Sequence, residues 1–220
     1  MAYILFDLDG TLTDPKEGIT KSIQYALHKM GIEVTDLDSL SKHIGPPLKE
    51  GFMEHWNMSE EEALKAVEAY REYFVPTGLY ENAVYEGIDE LCEELLNQGM
   101  KLIVATSKPE IYAAVILKHF GLEKYFKDIC GATLDGSRTK KGDVIRYALD
   151  KNKISNSDTV AMVGDRLHDI IGAKENNIPA VGVLYGYGSI EELTEAGADY
   201  IAENLTELKA ILIQNFNNQD

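Results

Sequence analysis

Cysteine is scarce in this chain, with only Cys92 and Cys130 among 220 residues. Two thiols without CxxC spacing exclude a disulfide scaffold, and with no Cys/His cluster of ligand spacing they disfavour zinc. Basic residues are also in short supply: 37 acids stand against 21 bases, for a net charge of −16. Such a surface repels a nucleic acid polymer or anionic lipid and suits divalent cations. Long apolar runs are missing too. The longest, 111–117, falls far short of a membrane span, and Asp7 interrupts the first apolar segment, so no signal peptide is predicted and the expected location is cytoplasmic. There is no P-loop and no Gly-x-Ser-x-Gly elbow. Gly186-Tyr187-Gly188 lacks the third glycine of a dinucleotide fingerprint. Asp7 does not open an EF-hand, because Leu12 stands where the loop glycine belongs and Gly18 where the bidentate acid belongs.

What is present is a folded chain, since 45% apolar residues are enough to build a core. Short apolar runs at Tyr3–Phe6, 101–106, 129–132, 159–163 and Ala180–Val183 are bounded by turn residues and predict buried parallel strands. Helical patterns at 82–98, 109–119, Lys141–Lys151, 167–176, 189–196 and 205–213 separate or follow them. That alternation predicts an α/β fold, a doubly wound Rossmann-like parallel sheet. One stretch breaks the rhythm: 15–78 is helical without a convincing strand, and it predicts an inserted helical domain between 1–14 and 79–220. Asp14, Pro15 and Glu17 read as the start of its first helix, and Ser59-Glu60-Glu61-Glu62 as a capping box opening another. The tail from 214 is polar and expected to fray.

In open α/β sheets, chemistry collects beyond the carboxyl ends of strands. The first strand ends in Asp7-Leu8-Asp9-Gly10-Thr11, where a spacing of two places both carboxylates on one side. The second ends in Thr106-Ser107-Lys108, two hydroxyls and a cation before a helix N-terminus, a seat for an anion. Lys140-Lys141 precedes another helix, and the fourth strand runs into Gly164-Asp165-Arg166-Leu167-His168-Asp169. Each piece alone is common; their joint order is not. His28, His43, His55 and His119 fall in helices or at their ends and read as structural, and His168 is expected to face away.

The order DLDGT (7–11), VATSK (104–108), a lysine at 140 or 141 and VGDRLHD (163–169) resembles the four motifs of the haloacid dehalogenase-like (HAD) superfamily. The likeness spans nearly the whole chain. The insertion after the first motif resembles that family's C1 cap, and the Ile44–Leu48 segment with VGVLYGYGS is similar to the phosphoglycolate phosphatase-like branch. Ser107 stands where asparagine is usual, and glycine follows Lys141 where proline is frequent.

The resemblance implies a Mg²⁺-dependent hydrolase of small phosphorylated metabolites, monomeric or a small homo-oligomer. It implies metal binding by Asp7, Asp165, Asp169 and the Asp9 carbonyl, with Asp7 as nucleophile and Asp9 as acid and base. Thr106 and Lys141 would hold the phosphoryl group, with Ser107 and Lys108 binding substrate. Physical chemistry agrees: a carboxylate attacking a dianionic ester needs the like charge neutralised. The Asp9 side chain is expected to point away from the metal. Phosphoglycolate would need a cation from the insertion, for which Lys42, His43 and Lys49 are candidates. A nucleoside monophosphate would need an aromatic wall, for which Phe52 and Trp56 are candidates. A phosphomutase and a non-catalytic phosphate-binding regulator are the rival readings.

Overall fold

The computed structural model describes residues 2–45, 47–154 and 160–217. Two compact units divide the chain, one of Met1–Asp14 with Val84–Asp220 and one of Pro15–Ala83.

The larger unit is an α/β fold around a six-stranded sheet. Its strands are β1 (Tyr3–Phe6), β4 (Lys101–Pro109), β5 (Phe126–Ala132), β6 (Val160–Gly164), β7 (Ala180–Val183) and β8 (Tyr200–Ala202); β2 (Thr13–Asp14) and β3 (Ala83–Val84) are two-residue strands where the chain crosses between units. The order is β5-β4-β1-β6-β7-β8, and every pairing is parallel. Helices α4 (Ile88–Asn97), α5 (Glu110–His119), α6 (Lys141–Lys151), α7 (Leu167–Glu175), α8 (Ile190–Glu195) and α9 (Leu205–Phe216) complete it. Leu5, Ile103 and Met162 pack with Val144 and Ile145 of α6 and Ile170 of α7 in one core. Their neighbours Ile4, Phe6, Leu102 and Val104 are equally buried, because helices cover both faces. Replacing such a leucine with alanine costs ~2–5 kcal/mol. Both cysteines are buried, which pushes each thiol up to about 12 and leaves it unreactive near neutrality.

The chain runs from β1 outward through β4 to β5, then returns to the other side of β1 for β6. That reversal puts the crevice at the carboxyl ends of β1, β4 and β6, where ligands of such sheets bind.

The smaller unit holds α1 (Lys16–Lys29), α2 (Leu48–Trp56) and α3 (Glu60–Tyr73), with α1 and α2 both packed on α3. Ile19, Ile23, Ala26 and Leu27 form the buried face of α1, as their spacing predicts. The capping box at α3 is formed: the Glu62 amide donates to Ser59 Oγ and the Ser59 amide to Glu62 Oε2, at 2.8 Å. The start of α1 differs from expectation. Pro15, not Asp14, holds the cap position without a side-chain hydrogen bond, and the Asp14 carboxylate accepts from the Tyr187 hydroxyl.

Other differences have local causes. The helix expected from 82 begins at Ile88, because Gly87 at φ 92° cannot continue inward as helix. β5 extends back to Phe126, its charged Lys127 and Asp128 being tolerated on an edge strand. The tail is helical to Phe216. Residue 159 of the fourth expected strand, Pro46 of the Gly45-Pro46-Pro47 loop and the last three residues of the tail lie outside the described residues.

Candidate active site

β1 delivers Asp7 and Asp9 through a tight turn. The Leu8 carbonyl accepts from the amides of Thr11, Leu12 and Thr13, and the Gly10 amide donates to the Thr13 carbonyl at 2.8 Å. Gly10 sits at φ +84°, and a Cβ there would collide with the Asp165 carboxylate. Glycine is therefore required for both reasons.

β6 and α7 supply the facing acids. Asp165 follows β6 and is fully buried; Asp169 lies in the first turn of α7, also buried, where the helix N-terminus favours negative charge. Asp169 Oδ2 accepts from the Arg166 amide at 3.1 Å. Oxygens of Asp7, Asp165 and Asp169 lie within 4.8 Å of one another. Lys141, the first residue of α6, reaches in from the side. Its Nζ lies 2.7 Å from both Asp7 Oδ1 and Asp169 Oδ1, and it donates to the Ala105 carbonyl at 3.1 Å. Lys140 is exposed. Of the two lysines, only Lys141 joins the acids.

Charge in this crevice is unbalanced. Burial, then Asp169 and Asp7, push the Asp165 carboxyl up to about 8. Burial also raises Asp169, against the pull of Lys141 and with the push of Asp7. Burial alone would lower Lys141, but Asp169 and Asp7 outweigh it and hold the ammonium charged. Three carboxylates crowded around one ammonium leave negative charge in a low dielectric. A hard divalent cation taking oxygen ligands fits that donor set.

Asp9 stands outside the three-acid group. Its Oδ2 pairs with Lys108 Nζ at 2.9 Å, while its Oδ1 is buried without a hydrogen-bond partner. Burial raises its carboxyl and Lys108 opposes the rise. Thr106 is buried within β4, just before the break in its pairing with β5, and its Oγ1 accepts from the Lys108 amide at 3.2 Å. Ser107 is half-buried and His168 exposed.

The residues from the insertion are arranged differently, within their own unit. Lys42 is exposed, and Lys49 pairs with Glu60 at 2.8 Å. His43 is buried with its ring centroid 4.5 Å from His55 and 4.7 Å from Trp56. Burial, then His55 and Lys42, hold it down at about 4, so it is neutral at pH 7 and does not supply the expected cation. Phe52 is core.

Residues 185–188 also belong to the site, beyond what motif reading assigned to them. The Tyr187 amide donates to Asp165 Oδ2 at 2.8 Å, and Thr11 Oγ1 donates to Asp165 Oδ1 at 3.3 Å. The Tyr185 hydroxyl donates to the Thr11 carbonyl at 3.0 Å. A Cβ on Gly186 would strike the Gly10 carbonyl and Asp165. The closely spaced glycines were the available signal: they permit this loop to lie directly on an acid.

Comparison with known proteins places the chain in a family. The profile of the haloacid dehalogenase-like hydrolases matches residues 4–183. A 5'-nucleotidase of Pseudomonas aeruginosa is 47% identical over 95% of this chain and 94% of its own. The tyrosine-protein kinase PtkA of Mycobacterium tuberculosis is 38% identical over 95% of this chain and 72% of its own. A phosphoglycolate phosphatase of Vibrio parahaemolyticus is 26% identical over 95% of both chains. The crystal structure of a predicted phosphatase from Clostridium acetobutylicum superposes with a TM-score of 0.93 at 52% identity, covering 97% of this chain and 98% of that one.

Proposed function

Because the chain belongs to the haloacid dehalogenase-like hydrolase family and is a phosphatase of that family, we propose that it uses Mg²⁺ to hydrolyse a small soluble phosphomonoester through an aspartyl-phosphate. The carrying observation is the buried group of Asp7, Asp165 and Asp169 around Lys141, with Asp9 held apart.

Asp7, Asp165 and Asp169 would hold the cation, which would supply charge neutralisation between the nucleophile and the phosphoryl oxygens. A carboxylate oxygen of Asp7 attacks phosphorus. The Asp7 O–P bond forms, the P–O bond to the ester oxygen breaks, and Asp9 gives its proton to the departing alkoxide. Water then attacks the acyl phosphate, yielding its proton to Asp9 and releasing orthophosphate. Lys141 carries positive charge beside Asp7 throughout, and the Thr106 hydroxyl can donate to a phosphoryl oxygen.

A 5'-mononucleotide is the favoured substrate class, and leaving-group choice is assigned to the insertion. The relative named 5'-nucleotidase is 47% identical, against 26% for the phosphoglycolate phosphatase. Neutral His43 and paired Lys49 leave Lys42 as the one cation of those three candidates for a substrate carboxylate. Orthophosphate release from a panel of mononucleotides, phosphoglycolate and sugar phosphates tests this: highest kcat/KM on mononucleotides supports it, and highest on phosphoglycolate overturns it. Transfer to an acceptor hydroxyl, the chemistry in the name of the kinase relative, would appear as acceptor phosphorylation without free orthophosphate.

A further inference from the structure

Lys108 is a lysine where the end of a strand would ordinarily put such a side chain into water. Its side chain is only 5% exposed, against 15% for its partner Asp9. The burial is built by the backbone. The β4–β5 ladder pairs Thr106 with Gly131 and then resumes at Pro109 with Ala132, so Ser107 and Lys108 are passed over. Across that interruption the Lys108 amide turns back to Thr106 Oγ1 at 3.2 Å, and Nζ meets Asp9 Oδ2 at 2.9 Å. Burying an ammonium and a carboxylate together is costly unless the geometry is well satisfied. Here one oxygen of the acid is satisfied and the other, Oδ1, is buried without a hydrogen-bond partner.

We propose that Lys108 is a positioning residue for Asp9: by gripping Oδ2 it keeps Asp9 out of the three-acid group and leaves Oδ1 as the atom presented to the ester oxygen and then to water. The inference rests on the reading of Asp9 as acid and base. It replaces the expectation that Lys108 binds substrate. The proton path is unchanged, from Asp9 to the leaving oxygen and from water back to Asp9; Lys108 exchanges none.

A double-mutant cycle with Lys108→Met and Asp9→Asn tests it, because coupled residues fail to add. Two substrates are used, an alkyl phosphate and an aryl phosphate with an acidic phenol. Lys108→Met should lower kcat on the alkyl ester by ~10–100-fold, part of the ~10²–10⁴ that acid–base help supplies, and lower the rate of the first-turnover burst of phenol from the aryl ester far less. In the Asp9→Asn background the same change should cost nothing further. Inhibition by orthophosphate should stay within about twofold, since no phosphate ligand is lost. Lys108→Arg retains the cation, provides a second folded variant, and should recover most of the alkyl-ester loss. Equal losses in alkyl-ester turnover and in the aryl-ester burst rate, multiplying losses in the double variant, or a tenfold weaker orthophosphate inhibition would overturn the proposal and make Lys108 a phosphate ligand. If Asp9→Asn itself spares the alkyl ester, the reading of Asp9 falls, and this inference with it.

Discussion

The two compact units place their candidate residues in opposite ways. In the sheet unit, Asp7, Asp165, Asp169, Lys141 and Lys108 are buried, and each is tied to a strand end, a helix start or a named partner. In the helical unit, Lys42 is exposed, Lys49 is matched to a surface glutamate, and His43 is locked neutral among rings. The first arrangement fixes charge in a low dielectric, where displacement is expensive. The second leaves Lys42 and Lys49 at the surface, where replacement costs little, and buries only a neutral ring. On the function proposed above, reaction chemistry would reside in what the sheet enforces, and substrate choice in what the insertion can vary.

Breaking the sheet unit should have the largest effects. Asp7→Asn should preserve folding and lower orthophosphate release by roughly 10⁴-fold or more on every ester, measured alongside circular dichroism. Lys141→Ala should lower all substrates together by ~10²–10³-fold, because it removes the buried cation they share. Lys140→Ala should stay within about twofold, as for an ordinary surface site. Equal losses at the two positions would erase the distinction between them.

Metal removal sharpens the contrast without relying on turnover. Chelation should abolish activity and Mg²⁺ restore it. At a hundredfold excess over its dissociation constant, Mg²⁺ should add ~2.7 kcal/mol of stability, or about 5–10 °C in the unfolding midpoint. Asp165→Asn should remove that shift, and a persistent shift would place the ion elsewhere.

The insertion should respond more weakly. Lys42→Ala should change the ratio of kcat/KM between phosphoglycolate and mononucleotides by up to ~10-fold while sparing a small aryl phosphate. His43 is the smallest case for activity but has a signed pH effect on stability. Its folded value of about 4 lies below the 6.5 of the free side chain, so its contribution is present above pH 6.5. It is lost as pH falls from 6.5 towards 4, where the unfolded chain binds the extra proton, by at most ~3 kcal/mol. Denaturant titrations at pH 7 and 4.5 should show this loss in the native sequence and a smaller one in His43→Gln.

The same contrast explains what could be read from the sequence. Tyr3–Phe6, Ala180–Val183 and Lys141–Lys151 stand in the structure at their expected bounds, because uninterrupted apolar runs and a single helical face leave few alternatives. β8 was missed, since three residues give too short a period to detect. The acids were legible because strand-end position is encoded locally. The partners were not. That Tyr187 serves Asp165, that Asp14 accepts from Tyr187 instead of capping α1, and that Lys108 turns inward depend on loops brought together from distant sequence. In the insertion, neutrality of His43 arises from tertiary burial, which residue type alone does not reveal.

The most direct test of the account is to trap the covalent species. Native protein and Asp9→Asn protein would be mixed with Mg²⁺ and an activated aryl phosphate, quenched in acid within a turnover, and mapped by peptide mass spectrometry. The account predicts a phosphoryl group on the peptide containing Asp7, dependent on Mg²⁺ and longer-lived in Asp9→Asn, where water lacks its base. Steady release of orthophosphate with no phosphorylated peptide, or with phosphate on a residue other than Asp7, would contradict it.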